Sequence, residues 1–233
     1  MNLLVELLFP RRCPICDKPV DKMGHYVCKS CQGTIRYVKT PYCMKCGKSL
    51  RDDTKEYCLD CQKTEHFFQS GRALYEYETI KMSIYRFKYE GRKEYAEVYG
   101  KELAKHFGKL IKEWKVDAIV PVPLHKEKEK KRGYNQAALI ARVLGKELNI
   151  PVKEEMVKRV RVTMPQKELN GKERQNNLKN AFKIGKNDVK LNTVVVVDDI
   201  YTTGATMDAV TECLKSAGVK KVYCISLTVG RGM

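Results

Sequence analysis

The sequence predicts an α/β fold over residues 71–233, a mainly parallel sheet with helices on both faces, preceded by a small cysteine-rich domain over residues 1–70. Three observations predict it. Four evenly spaced CxxC pairs end at Cys61; beyond residue 71, helical periodicities alternate with short apolar runs; and the run VVVVDDIYTTGAT, residues 194–206, takes a buried strand straight into a loop and a helix start.

The chain opens with MNLLVELLFPRRC. A secretory signal would carry its positive charge first and an unbroken apolar run after it. Here Glu6 interrupts the run and the arginines follow. The stretch reads as a short amphipathic helix stopped by Pro10. No run of eighteen apolar residues occurs, so no membrane span is expected and the expected compartment is the cytoplasm.

Eight of the ten cysteines form the pairs Cys13/Cys16, Cys28/Cys31, Cys43/Cys46 and Cys58/Cys61, with successive pairs starting 15 residues apart. Two residues between thiols let both sulfurs of a tight turn face one ion, the geometry of a zinc knuckle. A disulfide framework suits a reducing compartment poorly, and four regular copies argue against redox catalysis. CPICDKPVDKMGHYVCKSC and CMKCGKSLRDDTKEYCLDC share length and order of parts, which reads as a duplication. Two sequential zinc ribbons, each with its own four-thiolate ion, are the expectation; an interleaved pairing would use the same cysteines. Cys213 and Cys224 lie outside this pattern on apolar faces and read as core residues.

Charge divides unevenly. Of the formal net +17, residues 1–70 hold +4 and residues 71–233 hold +13, with +9 inside residues 126–184. Two zinc-tetrathiolate sites, each with a net charge of −2, would cancel the +4. The ribbons then read as folding staples for a core too small to stand alone, while the basic stretch suits an anionic partner. The competing reading of that stretch is a Lys/Glu-rich solvated surface.

In the larger domain YETIKMSIYRFKYEG and EYAEVYGKELAKHFGKLIKEW are helical, the second with Leu103, Phe107, Leu110 and Ile111 on one face. DAIVPVP is a buried strand ended by prolines, and YNQAALIARVLGKELNIP a helix stopped before Pro151. MVKRVRVT alternates as a strand does, and GKERQNNLKNAF is polar with a helical tendency. VVVVDDI is a fully buried strand, ATMDAVTECLKSAG a helix ended by glycine, and VYCISLTV a last strand. In such sheets ligands gather beyond the carboxyl ends of the strands.

The chain leaves the strand 194–197 at Asp198 and Asp199, and the loop 201–206 begins a helix. A helix start offers unpaired N–H groups, and threonine and glycine let a phosphate approach them closely. The two aspartates cannot hold that phosphate; they suit hydroxyls or a metal ion. A phosphorylated ribose meets both demands, against the plainer reading of a capped helix start with acidic neighbours.

VVVVDDIYTTGAT resembles the phosphoribosyl pyrophosphate (PRPP) motif of type I phosphoribosyltransferases. The resemblance implies that Asp198 and Asp199 hold the ribose 2′- and 3′-hydroxyls and that Thr202, Thr203, Gly204, Ala205 and Thr206 wrap the 5′-phosphate. PVPLHKEKEKKRGYNQA, residues 121–137, resembles the PVPL…RGFNQ segment of the ComF family, with Tyr134 where phenylalanine is usual. The spacing of Gln166, Leu169, Arg174, Asn177 and Phe182 is similar to that family's Q…L…R…N…F region, and its members commonly begin with a double zinc ribbon.

Membership implies a type I phosphoribosyltransferase fold, PRPP bound with magnesium, and a pyrophosphate loop at Leu124, His125 and Lys126. Arg132, Tyr134, Asn135 and Gln136 would gather at the same mouth, with Tyr134 stacking on a ring, and Gln166 and Arg174 would close over the ligand. The plainer readings are helix capping and surface packing. No residue pattern identifies an acceptor or a general base. Three functions follow: an active transferase, a PRPP or nucleotide sensor without turnover, and a factor that handles incoming single-stranded DNA during natural competence, with the DNA-uptake machinery as a partner. The third is the expectation, supported by the basic stretch. Tyr85, Tyr89, Tyr95 and Tyr99 are candidate base-stacking residues, although their helical spacing also suits a core.

Overall fold

The computed structural model describes residues 10–20, 26–161, 180–185 and 190–230. The expected helix before Pro10 and the polar stretch 171–179 lie outside the described residues.

The two cysteine-rich units repeat one hydrogen-bond pattern thirty residues apart. Asp17 N–H donates to the Cys13 carbonyl and Gly47 N–H to the Cys43 carbonyl, both at 2.8 Å, closing the first knuckle of each unit. Asp17 and Gly47 both take the left-handed conformation that this turn demands. The second knuckle of each unit opens a short helix, α1 (Lys29–Gln32) after Cys28 and α2 (Leu59–Lys63) after Cys58. Cys28 and Cys58 therefore stand at helix N-caps, where the helix dipole favours a thiolate.

The main sheet holds four parallel strands in the order β1 (Gly71–Glu76), β6 (Lys221–Val229), β5 (Thr193–Tyr201) and β2 (Ala118–Pro121). Its parallel register and flanking helices are those of the α/β fold expected from the sequence. Apolar periodicity does not announce β1, because GRALYE carries Arg72 and Glu76 on an edge strand that is open at both positions. The alternation in MVKRVRVT makes a strand outside this sheet: β3 (Val157–Arg159) pairs antiparallel with β4 (Phe182–Ile184).

Neighbouring residues of each strand serve opposite cores. Val195, Val197, Ile119, Ile225 and Leu227 pack under α3 (Tyr77–Tyr89), α4 (Tyr95–Glu113) and α6 (Gln136–Leu148). Val194, Val196, Val120 and Val222 face the other way, onto Met207, Val210 and Leu214 of α7 (Ala205–Ser216). Cys43, Cys46 and Phe68 belong to that second core as well, so the second ribbon covers sheet area that would otherwise need another helix. A Cβ on Gly47 would stand 2.7 Å from the Arg72 Cα, which shows how closely the knuckle lies on β1.

The first ribbon has its own small core of Cys13, Cys28 and Cys31 and docks through Ile15, which also packs on the core beneath α3 and α4, and through polar contacts. Arg92 pairs with Asp17 at 2.6 Å, the Tyr95 hydroxyl donates to the same carboxylate, and Arg86 donates to the Ile15 carbonyl. Burial opposes ionisation of Asp17, but the Tyr95 and Arg92 hydrogen bonds hold its carboxyl below the ordinary value. Among the described residues no helix is long and apolar enough to cross a membrane.

Candidate functional site

β2 and β5 run side by side with Pro121 opposite Val197, and Val122 N–H donates to the Val197 carbonyl at 2.9 Å. The acidic pair and the loop 124–126 therefore stand on adjacent strands at one edge, as the fold class demands, but β5 continues through both aspartates to Tyr201 and not, as expected, only to Val197, because its pairing with β6 persists that far.

Asp198 and Asp199 sit at that edge, Asp199 almost wholly buried. The Asp199 N–H donates to Asp198 Oδ1 at 2.8 Å, and Lys88, reaching in from α3, places its ammonium 2.7 Å from Asp199 Oδ2. Burial and the adjacent Asp199 charge push the Asp198 carboxyl up to about 8, and Lys88 offsets only part of that. Two carboxyls crowded against one ammonium form a site that a ligand's hydroxyls or a cation would relieve.

The loop that follows has the features of a phosphate cradle. Gly204 is the N-cap of α7 at φ 84°, and no side chain caps the helix. A helix start of this kind has no intrahelical acceptor for its first amides, which is the setting in which anions bind. Thr202 is exposed, Thr203 and Thr206 are half-buried, and Gly204 and Ala205 are buried. The Thr203 hydroxyl is buried with no hydrogen-bond partner among the described residues. A buried polar atom left so in a native fold calls for a partner from outside.

Behind the loop stands His66, from the segment joining the second ribbon to β1. Its Nδ1 lies 2.7 Å from Asp208 Oδ2 in the first turn of α7, and its Nε2 lies 3.3 Å from the Tyr201 hydroxyl. Phe67 N–H donates to the other Asp208 oxygen at 2.9 Å. A Cβ on Gly204 would come within 2.4 Å of the Tyr201 hydroxyl and 2.6 Å of the His66 ring, so only glycine fits between loop and brace. Lys48 of the second ribbon pairs with Asp60 and lies 5.9 Å from the Tyr201 ring centre, which carries the contact back to the Cys43–Cys61 unit.

Cations gather on the β2 side. His125 and Arg159 are bridged through their backbones, and Arg159 lies close enough to Asp198 to feel its charge. Partial desolvation, then the charges of Arg159 and Arg132, lower the affinity of the Lys128 ammonium for its proton. Crowded positive charge of this kind is a setting for a polyanion such as pyrophosphate. Leu124 is half-buried at the loop and Lys126 opens α5 (Lys126–Arg132) in solvent. His125 is the N-cap of α5 and accepts the Glu127 N–H at 3.4 Å, so its ring nitrogen is engaged in capping.

The expected acceptor residues are placed differently. Tyr134 is 7% exposed and packs on Phe87, its hydroxyl donating to the Phe87 carbonyl, so its ring is not open to stack on a ligand. Asn135 caps α6, accepting the Ala137 N–H and donating to the Val122 carbonyl, each at 3.0 Å. Gln136 is buried, with its oxygen taken by Arg132. Helix capping and packing explain these three residues. Gln166 and Arg174 lie outside the described residues. Tyr95 and Tyr99 are core, whereas Tyr85 and Tyr89 stand in solvent.

Lys88, Arg159 and His66 were not singled out by the sequence. For Lys88 a signal exists: it stands four residues beyond Ile84 and eight beyond Ile80, in register with the buried stripe of α3, where a lysine needs an internal partner.

Four sulfurs of Cys13, Cys16, Cys28 and Cys31 lie within 4.8 Å of one another, and so do those of Cys43, Cys46, Cys58 and Cys61. The ribbons are thus sequential, not interleaved. Cys16–Cys28 and Cys46–Cys58 sulfurs are 3.7 Å apart. Tetrahedral zinc with Zn–S bonds of about 2.3 Å requires about 3.8 Å between sulfurs. Both sets fit zinc, which would act here as a structural cross-link.

Residues 4–62 match the double zinc ribbon domain and residues 94–231 the phosphoribosyl transferase domain. Competence protein F of Haemophilus influenzae is 42% identical over 108 residues, covering 46% of this chain and 47% of that one. Competence protein ComFC of Bacillus subtilis is 27% identical over 207 residues, 88% of this chain and 72% of that one. DNA utilization protein YhgH of Escherichia coli is 36% identical over 115 residues, 48% of this chain and 50% of that one. The match thus spans about half the length of the first and third of these relatives.

Proposed function

This chain belongs to the phosphoribosyl transferase domain family and, by its double zinc ribbon together with its likeness to competence proteins F and ComFC, to the ComF family, and from that premise we propose that it binds PRPP with magnesium and handles single-stranded DNA during uptake. Relatives named for competence and for DNA utilization support a competence-related role. The observation that carries the ribose-phosphate site is the loop after β5. It follows the acidic pair near the end of β5, Asp198 half-buried and Asp199 buried, and brings an uncapped helix start together with a buried threonine hydroxyl that has no partner among the described residues.

In this reading Asp198 and Asp199 accept hydrogen bonds from the ribose hydroxyls, displacing Lys88 from Asp199. The amides of residues 204–206 and the Thr203 hydroxyl bind the 5′-phosphate. Arg159, Lys128 and the 124–126 loop face the pyrophosphate. Magnesium, a hard cation that takes oxygen ligands, would be held near the carboxylates of Asp198 and Asp199 and would supply charge to neutralise the pyrophosphate. The basic helix α5 supports the DNA half of the proposal through charge, and a cytoplasmic setting accords with it.

Calorimetric titration of the zinc-loaded protein with PRPP and magnesium tests the site. Saturable binding that is lost in Asp198→Asn/Asp199→Asn, with folding intact, is the expected result; affinity retained in that variant overturns the assignment. Phosphorus NMR on the same samples, with candidate acceptors added, reads whether pyrophosphate is released.

A further inference from the structure

The outer face of α3 carries an aromatic stripe that neither core uses. Met82, Tyr85 and Tyr89 follow one another at helical spacing, with Tyr85 49% and Tyr89 65% exposed. The two tyrosine rings lie 5.1 Å apart at 47°. Arg132, at the end of α5, places its guanidinium 5.2 Å over the Tyr89 ring and donates to Gln136, which fixes it there. Between the tyrosines in sequence, Lys88 turns inward to Asp199 at 2.7 Å. One helix therefore presents rings to solvent and a cation to the ribose-phosphate site.

Resting on the DNA-handling reading above, we propose that Tyr85 and Tyr89, the second held by Arg132, form a platform on which bases of single-stranded DNA stack while α5 follows the phosphates. Five of the seven residues in α5 are lysine or arginine, and none of the seven is buried. Rings beside a polybasic helix are what a sequence-tolerant single-strand site requires, since every base offers a π-face and every nucleotide a negative charge. Charge also decides the occupant. A second copy of a chain with formal net charge +17 would bring like charge against α5, whereas a polyanion is attracted.

The test is fluorescence anisotropy on the full zinc-loaded chain, with labelled oligo-dT of about 20 nucleotides and an abasic sugar-phosphate strand of the same length. The wild type is expected to prefer oligo-dT over the abasic strand by about tenfold or more. Tyr85→Ala/Tyr89→Ala should erase that preference, and Tyr85→Phe/Tyr89→Phe should keep it. PRPP titration of the same variants should match wild type, which also checks that they are folded. Oligo-dT binding without preference over the abasic strand, or unchanged in the alanine variant, overturns the platform and leaves the DNA-handling reading in place. Binding to neither strand removes that reading and the platform with it. Self-association of the wild type that the alanine variant abolishes would assign the stripe to a second copy and likewise overturn the proposal.

Discussion

His66 Nδ1 lies 2.7 Å from Asp208 Oδ2, tying the segment after the second ribbon to the helix that opens the phosphate loop. His66→Ala would leave that carboxylate buried with the Phe67 N–H as its remaining hydrogen-bond donor among the described residues and would open space beneath Gly204. The expected cost is about 2–3 kcal/mol of stability in urea melts, with PRPP affinity falling about tenfold. His66→Gln, which can still donate to Asp208, should recover part of both. PRPP affinity unchanged in a folded His66→Ala protein would show that the loop does not lean on the ring.

Thr203 offers a cleaner separation of binding from folding. Its hydroxyl has no partner among the described residues, so Thr203→Val should keep or slightly raise stability. Loss of one hydrogen bond to a charged phosphate should weaken PRPP binding by about 1.5–3 kcal/mol, on the order of ten- to a hundredfold. Calorimetry and a thermal melt on one preparation check both. Equal PRPP affinity would remove Thr203 from the cradle.

Asp198 predicts a pH dependence. Its folded pKa is raised to about 8 by burial and Asp199, above the unfolded value of about 3.9. Between those values the native state holds a proton that the unfolded chain has lost. Stability from this group is full at low pH and declines as pH rises to about 8, at a slope of up to about 1.4 kcal/mol per unit. Asp198→Asn should flatten that decline in urea melts at pH 6 and 8. Because the ribose site uses the carboxylate, PRPP binding near pH 7 should also release protons. Calorimetric enthalpies in buffers of different ionisation heat would expose that release, and buffer-independent enthalpies would count against it.

The two zinc sites should differ in reach. Cys46→Ser removes a ligand that is buried in the core shared with β5 and β6, so zinc stoichiometry should fall from two to one and the whole protein should lose roughly 3 kcal/mol or more. Cys13→Ser removes a ligand from the small separate core and should shift the global unfolding midpoint far less. Metal analysis with parallel urea melts compares the two, and equal shifts would contradict this division.

Much of this was legible because it rests on local rules. The fixed CxxC spacing gave both metal clusters, and the run 194–206 gave the strand, its acidic end and the helix start. Long-range packing was not legible. His66 and Asp208 are 142 residues apart, and nothing local marks the histidine as a partner. Lys88 showed only as a lysine in register with an apolar stripe. Tyr134, Asn135 and Gln136 carried a family pattern, yet caps and core contacts engage them, because a polar residue at a helix start satisfies its own backbone first.

The closeness of Gly47 to β1, and the place of Cys43 and Cys46 beside Val194, Val196 and Val222, bear on inheritance. A gene fragment beginning near residue 71 would encode a sheet whose α7 face is only partly covered. Recombination at that point would thus hand a new host an unfinished protein. We expect the ribbon and the sheet to travel between genomes as one piece and to accept substitutions at their seam in matched pairs.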